Sequence, residues 1–188
     1  MADLYHPDDK RDKRPESRKI DMNSVKVVSR ADENEVRRIV KSHLSVNIAA
    51  IEESGASLGF IRPKILDYEC QVISTELTDQ EDQTQLEGSG EPVQMIKLKQ
   101  YSVYRFECQM RQDCSCAKQP HRMDIHDWEA NELYRNVVGR DKDPKVIKAK
   151  MRLKWFDFMK TRDLYFMMGT HHRYKNWLVV SVLYPRQP

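Results

Sequence analysis

Cys108-Gln-Met-Arg-Gln-Asp-Cys114-Ser-Cys116-Ala-Lys-Gln-Pro-His121 runs straight on into Arg122-Met-Asp-Ile-His126-Asp127-Trp128-Glu129. These residues hold three of the four cysteines and two of the six histidines of the 188-residue chain. Cys108, Cys114, Cys116 and His121 follow the pattern C-x5-C-x-C-x4-H. Thiolate and imidazole together form the donor set that a tetrahedral structural zinc ion prefers, and the ion itself keeps such thiols deprotonated. The spacing departs from the common C-x2-C pairing, and a single residue between Cys114 and Cys116 makes convergence on one ion harder. His126 is the reserve ligand if both cannot bind. The alternative is a core cysteine that ends a strand, followed by two free loop thiols, an arrangement that leaves reactive sulfur exposed. The metal-binding knuckle spans 108–126, and its expected cofactor is structural zinc. A loop this poor in apolar side chains buries little, so an ion would be what fixes it to its neighbours.

Working outward, Tyr101–Cys108 alternates so that Ser102, Tyr104, Phe106 and Cys108 share one face of a strand. On the other side, Asp124 with Asp127 three residues on reads as a helix start. Ile125, Trp128, Leu133 and Val137 form its inward stripe, and Gly139 stops it. Asp143-Pro144 opens a further helix, a cap followed by proline in the first turn. Its core side uses Ile147, Met151, Trp155 and Phe158. Leu164–Met168 and Trp177–Tyr184 are apolar without alternation, as expected of central strands of a sheet, and Gly169–Asn176 joins them.

Toward the N-terminus, Ile65–Ser74 reads as a strand, with Cys70 as a small core residue. It is followed by an acidic flexible loop over 75–92 and a second strand candidate at Val93–Lys99. Gly59–Pro63 breaks the chain. Val36, Ile39, Val40, Leu44, Ile48 and Ile51 lie at helical spacing, which predicts one helix capped near Ser29–Asp32 and stopped at Gly55. Val25–Val28 is a short strand candidate. Residues 1–22, nearly devoid of apolar side chains, form an expected disordered tail. The expected fold is α+β, a single domain over 23–188 with a mainly antiparallel sheet of about five strands and three helices.

Thirty-two basic and 29 acidic residues leave a net charge of +3, which excludes a polybasic histone-like chain. No apolar run approaches the length of a membrane span, and the first residues lack a signal-peptide core, so the expected setting is the cytoplasm without membrane attachment. In that reducing compartment clustered cysteines are better metal ligands than disulfide partners. No Gly-rich phosphate loop, serine-hydrolase elbow or zinc-protease helix motif is present.

Arg140, Lys142, Lys145, Lys148, Lys150, Arg152 and Lys154 form a basic run, and Arg111, Lys118 and Arg122 surround the knuckle. His171, His172, Arg173, Tyr174 and Lys175 bring imidazole, cation and ring together, a set able to hold phosphate and stack a base. The expected function is therefore a small zinc-stabilised, non-enzymatic, nucleic-acid-associated protein. One alternative is a protein-interaction subunit whose tail and acidic loop order on a partner. A second is a metal-dependent nuclease or hydrolase in which Asp127 and Glu129 join His171 and His172 at another ion.

Overall fold

A computed structural model describes residues 4–5, 14, 18–72, 101–171 and 176–187. Strand β1 (Leu4–Tyr5) pairs antiparallel with β2 (Lys19–Ile20). Val25–Val28 forms no strand and is exposed. The Asp32 carboxylate accepts from the Glu35 amide and starts helix α1 (Glu33–Ser42). The expected single helix then breaks at His43. Leu44–Ser45 (β3) turns into a sheet, and α2 (Ile48–Glu53) begins afresh under an Asn47 cap. Asn47 causes the restart, because its Oδ1 accepts from the Ala50 amide, which a continuous helix would have bonded to its own backbone. Gly55 takes the left-handed conformation at φ 74°, as expected of a helix stop.

Strands β4 (Leu58–Ile61) and β5 (Pro63–Gln71) are separated only by Arg62, yet they belong to different sheets. Ile61 pairs within one sheet, and Pro63, which has no amide to carry a ladder on, opens the other opposite Cys108. The second sheet continues with β6 (Tyr101–Cys108) and β7 (His121–Asp124), in the order β5-β6-β7 and antiparallel throughout.

Helices α3 (Trp128–Arg140) and α4 (Pro144–Arg152) follow, and α4 widens into a π-helical segment over Leu153–Phe158. The chain ends with β8 (Tyr165–Thr170) and β9 (Trp177–Leu183), completing a sheet of order β3-β4-β8-β9 in which β3 is parallel to β4. The fold is thus α+β, but the expected single sheet of about five strands is two sheets of four and three strands. Four α-helices rather than three lie among the described residues. β8 is central as expected, whereas β9 closes one end of its sheet.

The two sheets meet through rings. Phe166 of β8 stacks on Tyr104 at 4.9 Å and meets Phe106 edge-on at 5.2 Å, and all three are completely buried. Burial of rings of this size contributes roughly 1.5–3 kcal/mol each. The backbone seals the junction, with the His126 amide donating to the Val179 carbonyl at 2.8 Å. Asp127, rather than Asp124, caps α3, so the helix starts later than its sequence suggests. Of the expected stripe Ile125 and Val137 are buried and Leu133 packs on the core, joined by Ala130 and Tyr134, whereas Trp128 in the first turn is 70% exposed. Ile147, Met151 and Trp155 are buried as the spacing predicts. The acidic stretch 75–92 and the candidate strand Val93–Lys99 lie outside the described residues, as does most of 1–22. No helix among the described residues is long and apolar enough to cross a membrane.

Candidate metal centre

The knuckle closes a β-hairpin. β6 delivers Cys108 at its last residue, and β7 begins with His121, which pairs with Phe106 two positions earlier on β6. The expected connection from strand to helix is therefore one from strand to strand, and His121 owes its position to the β-ladder. Between the strands, Asp113 adopts a positive φ of 60°, a conformation that a short polar side chain tolerates, and the chain doubles back on itself there. A 3-10 turn over Ser115–Ala117 follows, with the Ala117 amide donating to the Cys114 carbonyl at 2.9 Å. That turn solves the problem of the single residue between Cys114 and Cys116, because curled backbone can bring both sulfurs to one side.

Cys108, Cys114, Cys116 and His121 are all buried, and their ligand atoms lie within 4.8 Å of one another. The Cys114 sulfur is 3.9 Å from that of Cys108 and 3.3 Å from His121 Nε2. A tetrahedral ion with sulfur at about 2.3 Å and nitrogen at about 2.0 Å requires edges of roughly 3.8 and 3.5 Å, so both separations fit one ion. All four cysteines are free thiols, and 3.9 Å is far beyond the bonded distance of a disulfide. The group can bind a metal. His126 is exposed on the far side of β7's end and does not join it.

The surroundings prepare these groups unequally. Burial pushes the Cys108 and Cys116 thiols up, resisting a bare charge in that space. Burial also works against the Cys114 thiolate. There, hydrogen bonds from the Cys116 amide and thiol, the Cys108 thiol and the Ile48 amide outweigh it and hold the group below its ordinary value. Burial lowers His121, which favours the neutral imidazole that a metal needs.

An outer layer fixes the loop. Arg111 donates from Nε to the Cys116 carbonyl and from a terminal nitrogen to that of Ala117, both at 3.2 Å, while pairing with Glu107 at 3.2 Å. Asn47 Nδ2 donates to the Gln112 carbonyl at 3.1 Å, so one side chain both starts α2 and holds the knuckle. Supporting contacts of this kind orient ligands. The sequence carries a partial signal for Asn47, an amide side chain immediately before Ile-Ala-Ala. It carries none for the bracing role of Arg111, which depends on how the loop folds.

The other expected groupings fare differently. Asp127 is buried and its carboxylate is fully committed. One oxygen caps the Glu129 and Ala130 amides, and the other accepts from Ser181 Oγ at 2.9 Å and the Val182 amide at 2.8 Å. Glu129 accepts a hydrogen bond from the Tyr184 hydroxyl. These bonds account for both acids, and the metal-type grouping found among the described residues does not include them. His171 is half-buried, its amide donating to the Asn176 carbonyl at the neck of the β8–β9 connection. His172, Arg173, Tyr174 and Lys175 lie outside the described residues. Much of the basic run is engaged. Lys150 pairs with Asp141 at 2.6 Å, Arg152 with Asp67 at 2.7 Å, and Lys142 donates to the Val138 carbonyl at 3.3 Å.

A family model described as "Domain of unknown function (DUF8757)" matches residues 40–188, the greater part of the chain and all of the knuckle, and the chain belongs to that family. No curated protein and no solved structure matches it.

Proposed function

We propose that this member of the family is a zinc-stabilised binding module that associates with nucleic acid and performs no chemistry at its metal. The observation that carries the proposal is the buried, complete set of three sulfurs and one imidazole nitrogen. Four protein ligands fill a tetrahedron and leave no position for water or substrate, which is the arrangement of a structural ion. Cys, Cys, Cys and His favour zinc over the hard cations that take oxygen ligands. Its work is mechanical: the ion ties the end of β6 to the start of β7 across a loop that is mostly polar. Basic side chains in the C-terminal half, some of them outside the ion pairs described above, support nucleic acid as the partner over an uncharged ligand.

Two measurements on the purified full chain test this reading. Elemental analysis is expected to find one zinc per chain, and a labelled oligonucleotide is expected to bind with an affinity that falls steeply between about 50 and 200 mM salt. Metal-free protein that is folded would remove the zinc assignment, and absence of binding at the lowest salt would remove the nucleic-acid assignment.

A further inference from the structure

The cations that follow α4 are held by aromatic rings. On the π-helical segment and the turn after it, Lys160 Nζ sits 3.8 Å from the centroid of Phe156, and the Arg152 guanidinium sits 4.3 Å from the same ring. Phe158 is flanked likewise, by Lys154 at 4.0 Å and Arg162 at 4.6 Å. Each of the two rings thus carries two cations. Each of these cations stands four residues from its ring, a spacing that brings side chains together along a helical surface. Contacts of this kind hold long flexible side chains in place and reduce the ordering left for a ligand to impose. Arg152 is also tied to Asp67, whereas Lys160 and Arg162 form no ion pair among the described residues.

Lys160 and Arg162 line an open groove of about 530 Å³ with Arg62 and Lys64 from the β4–β5 corner. Its acids are already occupied. Asp163 receives Arg62 at 2.7 Å on one oxygen and Arg37 at 3.2 Å with the Tyr165 hydroxyl at 2.7 Å on the other. Glu107 stands 4.0 Å from Lys64 and 3.2 Å from Arg111. Six cations, counting Arg37 and Arg111, therefore stand against these two carboxylates around the groove. Of its apolar lining, Ile65, Met159 and Leu164 are buried and Pro63 and Leu66 half-buried, so no fully exposed apolar side chain is offered to a lipid bilayer.

We infer that this groove is the nucleic-acid contact of the domain and takes the phosphodiester backbone, with Lys160 and Arg162, which no acid among the described residues pairs, as its main cations and Arg62 and Lys64 beside them. The inference rests on the nucleic-acid reading above and gives it a location and a mode. Phe156 is buried, Phe158 is half-buried and both already carry cations, so neither is an open platform for a base. Recognition through the groove is of phosphate, tolerant of sequence and steeply dependent on salt.

The test is fluorescence anisotropy of short labelled RNA and DNA strands with the full, metal-loaded chain, across about 50–200 mM salt. The double variant Lys160→Glu/Arg162→Glu is expected to bind at least about tenfold more weakly, with a salt slope shallower by about two. Lys64→Ala, at a side chain 75% exposed and so harmless to folding, is expected to weaken binding to every sequence alike and to reduce the slope by about one. Lys118→Glu, a charge reversal at a knuckle residue that does not line the groove, is expected to weaken binding less than Lys64→Ala does. Wild-type binding that survives both groove variants overturns the groove and leaves the nucleic-acid reading standing. Absence of wild-type binding overturns both. Groove-dependent capture of acidic peptide or of phosphatidylserine vesicles, with oligonucleotide ignored, overturns the partner class.

Discussion

Each candidate ligand of the knuckle is positioned by a local feature of the chain. Cys108 is fixed by a strand end, His121 by its ladder position opposite Phe106, and Cys114 and Cys116 by the turn that follows Asp113. Replacing Cys116, which is wholly buried, with serine is expected to abolish metal retention and to lower the melting temperature by about 10 °C, measured by calorimetry with metal content in parallel. A stoichiometric ion in that variant would show that Cys116 is not a ligand. Asp113 supplies a finer test, because glycine adopts its positive φ without strain and valine does not. Asp113→Gly is expected to be neutral or stabilising by up to about 1 kcal/mol, and Asp113→Val destabilising by more than that, by chemical denaturation.

Asp163 gives a prediction in pH. Burial alone would raise its carboxyl, but the Tyr165 hydroxyl and the Arg62 and Arg37 guanidinium groups outweigh burial and hold it below the ordinary value. A carboxylate whose pKa is lower in the folded state contributes stability above its unfolded pKa, near 4, and loses that contribution as pH falls through the folded value. Asp163→Asn is therefore expected to flatten the acid limb of the stability curve below about pH 4, as followed by denaturation at several pH values. An unchanged limb would mean that the Arg37 and Arg62 pairs do not hold in solution.

At the scale of elements, Asp127 joins two parts of the fold. Its carboxylate starts α3 and grips β9 at Ser181 and Val182, so truncation leaves several buried donors without partners. Asp127→Ala is expected to cost about 3 kcal/mol or more, and Asp127→Asn less, because the amide oxygen still accepts. A cost near that of an ordinary exposed cap, about 1 kcal/mol, would mean that the contact with β9 contributes nothing. α2 packs on β4 just as closely. A methyl group at Gly59 would stand 2.8 Å from Ile51 Cδ1, so Gly59→Ala is expected to cost about 1–3 kcal/mol unless Ile51 can shift.

These elements also show where the sequence speaks. The alternation of Ser102, Tyr104, Phe106 and Cys108 and the Asp143-Pro144 start of α4 are legible because each is dictated by neighbours in the chain. The break at His43 is hidden, since Leu44, Ile48 and Ile51 keep helical spacing while Asn47 starts a second helix that packs elsewhere. β7 is hidden too. Four residues reading His-Arg-Met-Asp carry no apolar alternation, and the strand exists because β6 and the knuckle hold it. The Cys and His types of the candidate site could be read from clustering alone, whereas the groove that Lys160 and Arg162 line with Arg62 and Lys64 joins distant parts of the chain and has no sequence signature.

Over the whole molecule, the two sheets share an aromatic core, and the metal group sits at the end of the smaller one, next to the start of α2. Loss of an ion there would release the β6–β7 hairpin and the Asn47 brace together, reaching toward Phe106 and its contact with Phe166. Thiols that the ion keeps deprotonated would also take up protons as it leaves. The central claim is that three sulfurs and one nitrogen enclose a single zinc ion whose work is structural. X-ray absorption at the zinc edge on the purified full chain tests it most directly. The expected spectrum is one zinc per chain with three sulfur neighbours at about 2.3 Å and one nitrogen at about 2.0 Å, and no exchangeable oxygen. Folded protein that carries no zinc, or zinc surrounded by oxygen, would contradict it.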